Sequence, residues 1–161
     1  MRRLLIAAIA GLFVALGSMA QGLSGAALLT IMNKPDFASI DKYVSVKGYK
    51  PCKNDDPIDA DYRKIWGINL AGYSGGICLA KIPSKPMYLL MVEFGRNPEN
   101  PKRWLTYRSW NSANINSILS YFRKLGYKKV GQDYDGDIYH KEGSKYELRC
   151  EDAGSTILLE Y

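Results

Sequence analysis

The sequence predicts an α+β fold in which helices pack on antiparallel β-sheet. Three observations lead there. Residues 111–125 place Ile115, Ile118, Leu119, Phe122 and Leu125 at the three-and-four spacing of one helical face. Residues 128–161 then break into short alternating runs divided by Asp135-Gly136, Glu142-Gly143 and the segment 152–155, which is the pattern of an antiparallel meander. In the run 145–151, Tyr146, Leu148 and Cys150 alternate with Lys145, Glu147, Arg149 and Glu151, so the sheet has one buried and one wet face.

The chain opens on Arg2 and Arg3, an apolar run over 4–16 and Gly17-Ser18-Met19-Ala20. A charged start, a short apolar stretch and small residues before a cut predict a secretory signal peptide over 1–20, cleaved after Ala20. A retained anchor is the competing reading, but the run falls short of the ~20 apolar residues of a bilayer crossing and no later stretch comes close. No cysteine follows the cut, so a lipoprotein anchor is not indicated. The expected mature chain is secreted or periplasmic, has no transmembrane segment, and carries a net charge of +4 once two arginines are removed from the whole chain's +6. That charge is mild and scattered, and export together with the lack of a basic cluster argues against nucleic acid.

Residues 22–32 predict a short helix. A second helix is predicted over 35–47, with Asp36 early, Phe37, Ile40 and Val44 on one face and Gly48 after it. An acidic loop comes next over 53–61. Strands are expected over 65–71, 76–82 and 87–94, separated by turns at 72–75 and 83–86, and the Gly-, Asn- and Pro-rich segment 95–101 reads as a connector. A strand over 103–110 leads to the helix at 111–125, for which Asn111, Ser112 and Asn114 offer caps and Gly126 the stop. Strands over 128–134, 137–141, 145–151 and 156–161 complete the chain. Asp135-Gly136 predicts a type I′ turn, which needs positive φ at both central residues.

Two stretches echo each other. Ile40-x-x-Tyr43-Val44 leading to Gly48-Tyr49-Lys50 aligns at a constant offset of 78 with Ile118-x-x-Tyr121-Phe122 leading to Gly126-Tyr127-Lys128. Val92-Glu93-Phe94 and Leu159-Glu160-Tyr161 close the two stretches alike. The echo divides the mature chain into two tandem helix-plus-meander units, 21–94 and 95–161, with one compact domain as the alternative. In layout alone, such a chain resembles secreted proteinaceous inhibitors such as the beta-lactamase inhibitory protein and the similarly built PepSY-like periplasmic domains. That resemblance covers organisation and no motif residues, and it implies a binding or inhibitory role.

Cys52, Cys78 and Cys150 all survive cleavage, and an oxidising compartment predicts one disulfide and one leftover thiol. Cys52 with Cys78 is the favoured pair, because Cys150 falls on the apolar face of its strand; Cys78 with Cys150 stays open. His140, the single histidine, has no glycine-flanked nucleophile to serve, and one histidine with three separated cysteines matches no zinc spacing. The acidic runs 133–137 and 55–61 read as turn and loop rather than calcium sites: in the first, Ile138 stands where an EF-hand needs glycine and Ser144 where it needs glutamate. No cofactor is implied.

The strand 103–110 is the best functional lead. In strand geometry Trp104, Thr106, Arg108 and Trp110 share one face and Arg103, Leu105, Tyr107 and Ser109 the other. Two tryptophans beside an arginine form a platform for a protein, a peptide or a polysaccharide, and aromatic and arginine side chains dominate binding hot spots. The expected function is an exported, non-enzymatic binding module with Trp104, Arg108 and Trp110 as its site. A small envelope or extracellular hydrolase is the runner-up, ahead of a structural envelope component or a secreted inhibitor.

Overall fold

This computed structural model describes residues 22–52, 62–74, 77–97, 99, 101–151 and 155–161; at 73, 74 and 77–79 it describes the backbone alone. The expected leader at 1–20, the expected acidic loop at 53–61 and the side chain of Cys78 lie outside the described residues. Among the described residues three helices lie against an eight-stranded antiparallel sheet, and no helix is long and apolar enough to cross a membrane.

The helices form where caps and periodicity coincide. Helix α1 (Gly25–Met32) starts at Ser24, whose side chain accepts from the Ala27 N–H; α2 (Phe37–Ser45) starts at Asp36, which accepts from the Ser39 N–H. That bond holds the Asp36 carboxyl below its usual range. Helix α3 (Ser112–Lys124) starts at Asn111 and ends with Arg123 and Lys124 in its last turn, the sign that a helix C-terminus favours. Beyond the end of α1, the carbonyls of Met32 and Lys34 accept from Arg103 Nη1, and that guanidinium lies 4.3 Å from the Phe94 ring centroid.

Ten strands lie among the described residues: β1 (Lys50–Cys52), β2 (Arg63–Ile68), β3 (Leu70–Ser74), β4 (Ile77–Ala80), β5 (Tyr88–Phe94), β6 (Arg103–Ser109), β7 (Lys128–Asp133), β8 (Gly136–His140), β9 (Glu147–Cys150) and β10 (Thr156–Glu160). The large sheet runs β1-β2-β5-β6-β10-β9-β8-β7, and β3 with β4 makes a separate hairpin. The three described helices cover the same face. Leu28, Ile31, Ile40, Val44, Ile118 and Phe122 meet Trp66, Leu90, Val92, Leu105, Tyr107, Leu148, Ile157 and Leu159 in one buried cluster. Trp66 is fully buried and its indole N–H donates to Asp41 at 2.8 Å.

The echo at offset 78 is visible in the backbone. Gly48 and Gly126 take φ of 85° and 94°; Tyr49 N donates to Val44 O as Tyr127 N donates to Phe122 O, and both tyrosines are buried. Each helix thus ends in a Schellman-type cap that feeds an outermost strand, β1 or β7. Apart from these caps the two stretches diverge: the first contributes three strands to the large sheet and diverts a hairpin, whereas the second contributes five. Both stretches join one sheet through β5 and β6 and share one core.

Four local expectations are corrected. β1 stands where no strand is expected, because Pro51 argues against a strand interior; it survives as a three-residue edge strand, where a missing N–H costs no pairing. The strand expected over 65–71 is two, broken at Asn69, whose φ of 56° asparagine tolerates. The Asn69 side chain donates to the carbonyls of Ile82 and Lys85 and accepts from the Ile82 N–H, which holds the loop after β4. The turn expected at 72–75 does not begin at Gly72, which lies inside β3 beside a bulge opposite β4. Finally, the β7–β8 turn is not type I′: Asp133 pairs with Gly136, only Gly136 has positive φ (129°), and Asp135 does not.

Candidate functional site

The described helices lie on one face of the large sheet, and the other face carries none of them, although Ile65 and Leu89 on it are buried. Register builds it row by row. One row reads Arg63, Glu93, Trp104, Glu160, Glu147 across β2, β5, β6, β10 and β9. The next reads Ile65, Met91, Thr106, Leu158, Arg149 and Ile138. A third holds Gly67, Leu89, Arg108 and Thr156. Alternation along β6 is therefore as expected: Arg103, Leu105, Tyr107 and Ser109 are buried, while Trp104, Thr106 and Arg108 are half-buried and Trp110 is 45% exposed.

Trp104 sits between two depressions. The larger, about 430 Å³, is lined by Tyr62, Arg63, Glu93, Trp104, Thr106 and Leu158 among others, and the smaller, about 230 Å³, by Trp104, Asp135, Glu147, Arg149, Leu158 and Glu160. Trp104 and Leu158 belong to both and form the ridge that divides them. Charges around the ridge come in pairs: Arg63 with Glu93, Lys102 with Glu160 at 3.6 Å, and Arg149 with Glu147 at 2.9 Å and with Asp133. At the rim, Arg96 stacks on Tyr62, 4.9 Å from the ring centroid.

The structure separates the three residues read from the sequence. Trp104 lies within β6 and Trp110 just past its end, six residues on, about 20 Å along an extended chain. Arg108 belongs with Trp110: its guanidinium lies 5.8 Å from the Trp110 ring, Nε donates to Thr156 Oγ1 and Nη2 approaches Glu151 at 3.6 Å. Arg108 thereby meets the buried Thr156, and neither residue lines the two depressions. Arg63, Glu93, Leu158 and Glu160 were missed, because which residues of other strands flank Trp104 depends on register across the sheet.

The remaining candidates take their places. Cys150 is buried on the core side of β9, as the alternation implied. Cys52 lies on β1 opposite Ile65. His140 is exposed at the end of β8, across from Lys128. In the acidic turn, Asp133 pairs with Arg149 and Asp137 with Lys129, so both carboxylates already face cations.

Comparison with protein families, with curated proteins and with solved structures finds no match. The layout resemblance to secreted inhibitors gains no support from these comparisons.

Proposed function

We propose that this protein is an exported binding module without catalytic activity that receives its partner on the helix-free face of the sheet, at Trp104. The observation that carries the reading is the position of Trp104 between two depressions on the face that, among the described residues, no helix covers. A tryptophan set among paired charges supplies apolar area inside a polar rim, the composition of a binding hot spot. The sheet edges favour the same face. β1 is short and contains Pro51, and β7 carries Lys128 and Lys129 beside a bulge, features that oppose addition of a partner strand.

The binding-face reading predicts that Trp104→Ala leaves stability within about 1 kcal/mol of the parent, as for a surface site. A core tryptophan would cost about 3 to 5 kcal/mol, and Trp66→Ala supplies that comparison within the same protein. Thermal melts of the two variants, with quenching of Trp104 emission by acrylamide, decide between them. A steep loss of melting temperature in Trp104→Ala would make Trp104 structural and remove the site.

Export carries two further expectations. Intact mass of the exported form should begin at Gln21, and a mass retaining residues 1–20 would refute cleavage. In the oxidising compartment Cys52 is expected to pair with Cys78 while Cys150, shielded by burial, reacts with alkylating agents only after denaturation. Peptide mapping that finds Cys78 joined to Cys150, or three cysteines alkylated in the native protein, would overturn that pairing.

A further inference from the structure

We infer that the helix-free face binds a neutral, linear polysaccharide laid across the strands, with Trp104 standing between successive sugar rings; this rests on the binding-face reading above. The ridge comes first. Trp104 borders a depression on each side, so a ring lodged in either one meets indole surface, and the C–H face of a pyranose is the partner an aromatic ring favours. A single small ligand would need one pocket and no ridge.

Length comes next. The row from Arg63 on β2 through Glu93, Trp104 and Glu160 to Glu147 on β9 crosses four inter-strand steps. At roughly 4.8 Å per step it extends about 19 Å, room for several linked rings.

Charge selects among polymers. The row itself holds one cation and three carboxylates, and cations from it and beside it meet each carboxylate: Arg63 meets Glu93, Lys102 meets Glu160 and Arg149 meets Glu147. A polyanion would meet the carboxylates and a polycation the guanidinium and ammonium groups, so neither gains from the face as a whole. Hydroxyls fit it, because each both donates and accepts, and a guanidinium–carboxylate pair presents donors and acceptors side by side. An apolar peptide would instead strip water from those ion pairs and leave them in low dielectric, at a net cost.

The test uses the mature chain on an array of neutral and acidic oligosaccharides from monomer to hexamer, followed by fluorescence titration at low and high salt, with a displayed peptide library in parallel. Expected is binding of neutral oligomers that strengthens with length, is indifferent to salt, and falls roughly tenfold or more in Trp104→Ala. Trp104→Tyr, which keeps a stacking ring, should retain most of the affinity that Trp104→Leu loses, with both variants melting close to the parent. Salt-sensitive binding of acidic oligomers alone, or peptide ligands lost in Trp104→Ala with no oligosaccharide bound, would overturn the inference and leave the binding face standing. Ligand binding indifferent to Trp104→Ala would overturn both.

Discussion

Replacing Gly136 by alanine is expected to destabilise the protein by about 3 kcal/mol or more and to lower its melting temperature by ~10 °C. Two independent constraints meet at this residue. Its φ of 129° lies in a region that side-chain-bearing residues rarely adopt. A Cβ there would also stand 2.7 Å from Glu151 Cα and closer still to the Cys150 carbonyl oxygen, both backbone atoms of the neighbouring strand and its exit. Backbone cannot rotate aside as a flexible side chain would, so β8 and β9 must part at the point where they hold Asp137 opposite Cys150. Two other glycines calibrate the effect. Gly143 has φ of 73° with open space around it, so Gly143→Ala should cost only about 1 kcal/mol. Gly131 has neither constraint, and Gly131→Ala should change stability by a few tenths of a kcal/mol. Thermal melts of the three variants test the ranking; a Gly136→Ala melt matching that of Gly143→Ala would mean that the strands yield at this contact.

Tyr107→Phe is expected to cost about 2 to 3 kcal/mol, although it removes a single oxygen. That hydroxyl donates to Asn114 Oδ1 at 2.7 Å and accepts from the Leu23 N–H at 3.0 Å and from Tyr49 at 3.4 Å. Its donor and both lone pairs are therefore in use. Asn114 returns a bond to the Leu23 carbonyl, so one buried tyrosine and one helix residue hold the segment that leads into α1. Gly22 packs against the same pair, where a Cβ would come within 2.7 Å of the Tyr107 oxygen. Phenylalanine would leave Leu23 N–H and Asn114 Oδ1 buried without their partner.

The same network sets a pH dependence. Burial raises the pKa of both Tyr49 and Tyr107 above the ordinary tyrosine value. A raised folded-state pKa means that the stabilisation is fully present below the unfolded value of about 10 and is lost as the pH climbs from there toward the folded values. Melting temperature should thus fall above about pH 10, and less steeply in Tyr107→Phe, which has one buried phenol fewer to ionise on unfolding. Equal slopes for parent and variant would show that alkaline loss arises elsewhere.

The sequence by itself determined what is local. Helix caps at Asp36 and Asn111, positive-φ glycines at 48 and 126, and the two faces of β6 and β9 follow from residue type and spacing, because each involves atoms a few positions apart. The α+β class follows too, since a helix stripe and alternating strands must bury their apolar sides on each other.

Everything that depends on which strand lies beside which was decided only by the tertiary structure. Pro51 sits in a strand because β1 is an edge, Asn69 breaks a strand because its side chain holds a distant loop, and Gly136 is required by the backbone of β9 rather than by a type I′ turn. The site obeys the same rule. Trp104, Arg108 and Trp110 are expected to share a face of one strand; Trp104 and Arg108 alternate onto one face of β6, and Trp110 stands just past the end of that strand. Their neighbours divide them: β10 and β5 bring Leu158, Glu160 and Glu93 beside Trp104, while Thr156 and Glu151 engage Arg108 at the other end. Residues along one strand reveal its two faces, but a binding surface on a sheet is assembled across strands, and that register is set by packing of the whole core.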